Sequence, residues 1–250
     1  MISYRTQSIA NPHIHHYWHF MAGYFIPVLL QSDQGETIHV KNCGDPMNRH
    51  WSCITDRKIK IGFPKEHDPI MLDNFDRPNC GSLKRSDVES FLEVYWRNVG
   101  MPKRSRKKVY TLIDRGTAQL HYDHIGRKTA GGRRSIVDID DFEKELCKYK
   151  PFKRHYLEKL NLKEQSELFY KSDVIVLQHG AAMFNTIFCR PNTIVIELAK
   201  DCWRYYGKWS SLCKINRTAL PESFNKKPSA ENVINAIKQS SGGGLSLIDV

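Results

Sequence analysis

The chain has 250 residues, 40% of them hydrophobic, with a formal net charge of +11. That length accommodates one large domain or two small ones, and the basic balance favours phosphate-bearing or polyanionic partners without choosing among them. No apolar run is long enough to span a membrane, since Phe20 to Leu30 is short and carries Gly23 and Pro27. The first residues, MISYRTQSIANPH, lack the apolar centre of a secretory signal, so a cytoplasmic protein is expected. The seven cysteines are scattered with no C-x-x-C pair, which argues for reduced thiols rather than structural zinc.

In chain order, Pro12 to Leu30 predicts a helix with Trp18, Met21, Ala22, Phe25 and Leu29 on one stripe. His13, His15, His16 and His19 lie in or beside it; with no nearby acidic ligand they read as helix histidines before they read as a metal pair. Thr37 to Val40, Lys58 to Phe63 and Pro69 to Asp73 predict short strands. Asp73 ends the third, a position suited either to a cleft or to capping of a turn. Ser86 with Glu89 predicts a capping box opening a helix to about Asn98. Lys103 to Lys108, KRSRKK, reads as a solvated crossing between domains.

The second half alternates strand and helix as a parallel sheet does. Val109 to Ile113 predicts a strand followed by Asp114-Arg115, and His121 to Arg134 a mobile Gly-rich loop over a phosphate site. A helix over Asp138 to Tyr149, a strand over Phe152 to Leu157 and a helix over Leu162 to Tyr170 follow. Then comes SDVIVLQHGAAMFNTIFCRPNTIVIELAK, read as strand, tight turn, short helix, loop and strand. Such a unit brings a helix start to the carboxyl end of a strand, where anions bind. Cys202 to Trp209 predicts a helix, Leu212 to Ile215 a strand, and Ser229 to Gln239 a terminal helix, with a flexible tail beyond. The expected division is an α/β domain over 1–105, a second over 106–240 and a tail over 241–250.

The stretch from Asp173 to Leu198 resembles the signature of glycosyltransferase family 61, a strand ending His-Gly-Ala, then an Asn, then a strand ending Glu-Leu. LIDR (112–115), RSIVD (134–138), LKEQSELFYKSD (162–173) and HHYWHFMAGYFIPVLL (15–30) resemble further family segments in the same order. Asp138 stands where the family has Asn. The resemblance implies a GT-B-like α/β fold: two Rossmann-like domains facing across a cleft. It implies inverting sugar transfer from a nucleotide diphosphate to a glycan or glycoprotein hydroxyl. Short length and the lack of an anchor look more like small virus-encoded members, such as a chlorovirus xylosyltransferase, with UDP-xylose as the leading donor.

That chemistry requires a base at the acceptor hydroxyl and positive charge at the leaving diphosphate. Arg115 and Arg134 are the candidate charge donors, with the backbone of Gly180 and Ala181 after His179. His179 either donates to a phosphate or sugar oxygen or orders the turn. Asn185 either bonds the nucleotide or fixes the turn, and Glu197 either accepts from ribose hydroxyls or braces the loop. The family's expected carboxylate near the His-Phe helix is missing after His19-Phe20, which leaves Asp73 first and His19 second as the base. Asp138-x-Asp140 sits at a helix start, where capping is the simpler role, so catalysis without a metal is expected. The competing readings are a basic nucleic-acid-binding α/β protein and an inactive sugar-nucleotide-binding relative.

Overall fold

The computed structural model describes residues 2–6, 16–64, 70–72, 83–115, 136–199, 204–221 and 227–242. The chain forms two compact units, one of residues 1–102 with 161–164 and one of 103–160 with 165–250.

The first unit carries a four-stranded, wholly parallel sheet. Its strands are β1 (Ile2–Thr6), β2 (Thr37–Val40), β3 (Lys58–Ile61) and β4 (Ile70–Leu72), in the order β3-β2-β1-β4. β1 is an inner strand, with Tyr4 paired to Val40 on one side and Ile70 on the other. The sequence reading had no strand there: five residues of mixed polarity give a weak signal, and their pairing partners lie far along the chain.

Helix α1 (Tyr17–Phe20) continues as π-helix over Met21–Phe25 and then as α2 (Ile26–Gln31). Pro27 has no N–H to return to the carbonyl one turn back, and the helix widens over that turn. This segment is almost entirely buried, and the Phe25 ring lies 4.6 Å from that of Trp51. α3 (Asp45–Asn48) runs into a 3-10 turn over Arg49–Cys53. α4 spans Arg85–Val99. Its start lies ahead of the expected Ser86–Glu89 box: Lys84 is the N-cap and donates its N–H to the Asp87 carboxylate at 2.7 Å. Leu83 and Val88 are both buried, at the spacing of a hydrophobic staple. Burying that pair fixes where the helix begins, and Ser86 falls inside its first turn.

The second unit carries a five-stranded parallel sheet of β5 (Tyr110–Asp114), β6 (Phe152–Tyr156), β7 (Val174–Gln178), β8 (Ile194–Ala199) and β9 (Asn216–Pro221). The spatial order is β6-β5-β7-β8-β9, so the order reverses between β5 and β7. Both are buried along their whole length, as the near-continuous apolar run of β7 requires. α5 (Ile139–Tyr149) and α8 (Ala230–Gly242) supply Phe142, Leu146, Val233 and Ile237 to a core with Tyr110, Leu112, Val174, Val176, Ile196 and Leu198. α6 spans Leu162–Lys171, and α7 spans Arg204–Cys213. Lys103 to Lys108 is exposed, and Arg104 lies 3.7 Å from Asp173.

The last strand corrects the expectation of Leu212 to Ile215. Leu212 and Cys213 end α7, and the strand begins at Asn216. Its sequence, NRTALP, is half-polar because β9 is an edge strand, where the terminal Pro221 costs no ladder bond. α8 runs through Gly242, so Ser241 and Gly242 of the expected tail are helical, and 243–250 lie outside the described residues. Five cysteines are described and all are free thiols; burial pushes Cys43 and Cys53 up to about 12. No described helix is long and apolar enough to cross a membrane.

Candidate active site

In open parallel sheets the crevice at the reversal of strand order, beyond the carboxyl ends of the strands, is the ligand position. Here that point is framed by Asp114-Arg115 at the end of β5 and by Gln178-His179-Gly180 at the end of β7. The His179 N–H donates to the Leu198 carbonyl at 2.8 Å, which carries the β7–β8 ladder one residue past the strand. The chain then turns at Gly180, with φ of +148°, and enters a 3-10 helix over Ala181–Phe188. The first bond of that helix runs from the Met183 N–H to the Gly180 carbonyl at 3.0 Å. The N–H groups of Ala181 and Ala182 precede it, at the end where anions are favoured.

Arg115 donates from Nη1 to the His179 carbonyl at 3.0 Å. Its guanidinium lies so close to the Gly180 backbone that a Cβ there would stand 2.5 Å from Nη1 and 3.0 Å from Cζ. Gly180 is thus required twice, by its backbone angle and by the arginine laid against it. A guanidinium carries five N–H donors in a rigid fork. With one spent on the turn, the fork is held at the strand ends beside the start of the 3-10 helix.

His179 is braced from below. Its Nδ1 donates to Oε1 of Glu197 at 2.6 Å, the acceptor being a carboxylate. Glu197 is fully buried in β8, and its other oxygen accepts from Arg217 Nε at 2.6 Å. Arg217 Nη2 is equally close to that oxygen but off the line of a hydrogen bond, so Nε is the donor. The chain His179–Glu197–Arg217 fixes the ring plane and tautomer of the histidine. Tyr206 sets its ring 5.0 Å from that of His179 and donates its hydroxyl to the Gly180 carbonyl at 3.0 Å. Trp209 Nε1 donates to the Met183 carbonyl at 3.1 Å and to Thr186 Oγ1 at 3.0 Å. Helix α7 therefore clamps the turn at two points one helical turn apart.

Asn185 is fully buried, and its Nδ2 donates to Gln165 Oε1 at 2.8 Å. Gln165 Nε2 in turn donates to the carbonyls of Leu157 and Leu160, both at 2.9 Å. Two motif residues, one from α6 and one from the 3-10 helix, are thus bonded to each other. Asn185→Ala leaves the buried Gln165 oxygen without this partner and is expected to cost about 1–3 kcal/mol of stability. A urea titration measures that cost, and ligand affinity per folded molecule should not change.

The carboxyl ends of β5 and β6 carry a second polar group. Asp114 and Tyr156 are register partners, and Arg154 lies 3.8 Å from Asp114 and 2.7 Å from Asp140. Burial pushes the Tyr156 hydroxyl up, and Asp114 adds to the shift. Burial likewise raises the Glu158 carboxyl, opposed in part by Lys159 and Arg115. Asp138 holds the N-cap position of α5 in left-handed backbone but makes no side-chain cap bond. Of the Asp138-x-Asp140 pair, Asp140 is thus committed to an arginine.

Of the residues singled out in the sequence, the structure brings Arg115, His179, Gly180, Ala181 and Glu197 together at the reversal point, with Asn185 behind them. Asp73 and Arg134 lie outside the described residues, as does the loop over 121–134. His19 lies in α1, half-buried, with its ring 6.3 Å from that of His16. Among the described residues no three His, Cys, Asp or Glu side chains gather as a metal-binding group. Sequence reasoning missed Tyr206, Trp209, Arg217 and Gln178. The spacing of Tyr206 and Trp209 on a helix was a usable signal, whereas Arg217 becomes meaningful only once β9 is placed beside β8.

No curated protein matches the chain significantly. The family model of Glycosyltransferase 61 matches residues 17–196, from the first helix to the middle of β8. That span includes the Arg115 strand end, the α6 glutamine and the His179-Gly180 turn. The chain belongs to glycosyltransferase family 61.

Proposed function

We propose that the protein is an inverting glycosyltransferase that takes a sugar from a nucleoside diphosphate and places it on a glycan hydroxyl. The observation that carries this reading is the Arg115 guanidinium laid against Gly180 at the sheet's reversal point. A diphosphate there meets fixed positive charge from Arg115 and the backbone N–H groups that open the 3-10 helix. In the displacement, the acceptor oxygen forms a bond to the anomeric carbon while the bond from that carbon to the diphosphate oxygen breaks. The bonding electrons leave with the diphosphate, and a base takes the hydroxyl proton. The growing negative charge falls where the arginine and the turn already stand, without reorganisation at the moment of reaction.

His179, held by Glu197, faces the same turn and is assigned to a diphosphate or sugar oxygen. Arg134 is the second proposed charge donor, and this reading gives the arginines the task that a metal ion performs elsewhere. The base is assigned to the first unit, Asp73 first and His19 second, within a GT-B arrangement of the two units. UDP is the leading nucleotide and xylose the leading sugar, by likeness to small virus-encoded members.

A thermal-shift panel of UDP, GDP, CDP, their sugar derivatives and a short RNA tests the reading. A nucleoside diphosphate at a hundred times its Kd stabilises the fold it binds by about 2.7 kcal/mol. The expected result is a rise in midpoint with UDP and UDP-xylose and none with RNA. A rise with RNA alone, falling steeply with salt, overturns it.

A further inference from the structure

Gln178 is the last residue of β7 and only 1% exposed. Among the described residues neither its Nε2 nor its Oε1 meets a hydrogen-bond partner. The rest of the strand is Val174, Ile175, Val176 and Leu177, as an inner strand of a parallel sheet requires. A leucine at 178 would continue that pattern. A carboxamide instead buries a donor and an acceptor, each at the cost of a lost hydrogen bond to water.

The backbone gives no reason for the amide, because Gln178 pairs with Leu198 through the ordinary ladder. Nor do the other buried polar side chains around the reversal point. Glu197 is bonded to His179 and Arg217, Asn185 to Gln165, and Asp114 faces Arg154. Of these four buried polar side chains around the reversal point, Gln178 is the one with no hydrogen-bond partner at either atom among the described residues. It directly precedes the His179-Gly180 turn and stands one residue past the last β5–β7 pair, Ile113 with Leu177. By the two-residue alternation it shares a face with Val174 and Val176, at the rim of the core that α5 and α8 cover. An unbonded amide at the switch point of a doubly wound sheet is placed where ligands bind.

We propose that Gln178 contacts the donor, taking a vicinal pair of hydroxyls carried next to the diphosphate. The inference rests on the donor-site reading above. A phosphate only accepts hydrogen bonds, so it would engage Nε2 and leave Oε1 dry. A hydroxyl both donates and accepts, and two neighbouring hydroxyls satisfy both ends of one carboxamide. The ribose diol and the transferred sugar both present that group, and both lie within one residue's reach of a diphosphate seated at Gly180.

Gln178→Leu and the unbranched Gln178→Met test this through two readouts. The first is the melting temperature without ligand. The second is the Kd by calorimetry for UDP, 2′-deoxy-UDP and UDP-xylose. The expected result is a melting temperature equal to or above the wild type for Gln178→Met, with affinity for UDP-xylose about tenfold weaker in both variants. If UDP weakens with it, and the wild type's preference for UDP over 2′-deoxy-UDP disappears, the ribose diol is the partner. If UDP is unchanged, the transferred sugar is the partner. Wild-type affinity for UDP and UDP-xylose in both variants overturns the inference and makes Gln178 a site for an ordered water or none. A clearly lower melting temperature for Gln178→Met also overturns it, because the amide then has a structural bond. Failure of the wild type to bind any of the three probes is a different result, which removes the donor-site reading itself.

Discussion

Glu197→Gln lowers the stability of the second unit by about 3 kcal/mol, within the range for breaking a buried ion pair from one side. Glu197 is fully buried and serves two donors, His179 Nδ1 and Arg217 Nε, each at 2.6 Å. A glutamine keeps the shape but offers one oxygen and one NH2 group. Whichever way it turns, one neighbour meets a donor in place of an acceptor, and the Arg217 charge is left without its counter-charge. For a domain of this size the loss corresponds to a fall in melting temperature of roughly 6–12 °C. The added change Arg217→Gln removes the stranded charge, so the double variant should recover part of that loss. Thermal melts of the three proteins read this directly, and a single variant that melts with the wild type contradicts the ion-pair account. The same variant lets the His179 ring turn, so activity should fall by more than the folded fraction does.

Gly180→Ala has the opposite balance, with a modest loss of stability and a large loss of turnover. An alanine at φ of +148° is strained, by roughly 1–3 kcal/mol. Its Cβ would meet Arg115 Nη1 at 2.5 Å. The atom it meets is the far end of a flexible side chain, so the arginine yields and the fold survives. Arg115 then leaves the His179 carbonyl, and the charge that the proposed mechanism places at the leaving diphosphate goes with it. Removing one preorganised group of this kind costs about 10²–10³ in kcat. Steady-state turnover of the proposed UDP-sugar donor beside a melting curve separates the two effects. Full turnover in this variant would show that the placement of Arg115 is not what drives departure of the diphosphate.

The parts of the molecule that were legible in the sequence are those whose signal is local. β7 and β8 announce themselves as unbroken runs of Val, Ile and Leu because both of their faces are covered. The His179-Gly180 turn is legible because small residues follow the apolar strand at once. What stayed hidden depends on partners remote in sequence. β1 is a strand because residues 36 and 66 positions on come to lie beside it. β9 is an edge strand, and its mixed sequence loses to the apolar end of α7 just before it. Glu197 left two readings open in the sequence; Arg217, twenty residues away, supplies a bracing partner that no spacing rule predicts. Gln178 was visible all along, but its oddness lies in having no bonding partner among the described residues, which a sequence does not display.

The inner position of β1 has a consequence for how the chain is made. Synthesis delivers this strand before the other three of its sheet, yet its two neighbours are β2 and β4, which end at Val40 and Leu72. Once β2 has docked, the opposite side of β1 remains an open row of backbone donors and acceptors until the ribosome has passed Leu72. Such an edge pairs readily with another nascent chain. The first unit is therefore exposed to misassembly during translation, and slowing elongation between Val40 and Ile70 lengthens that exposure.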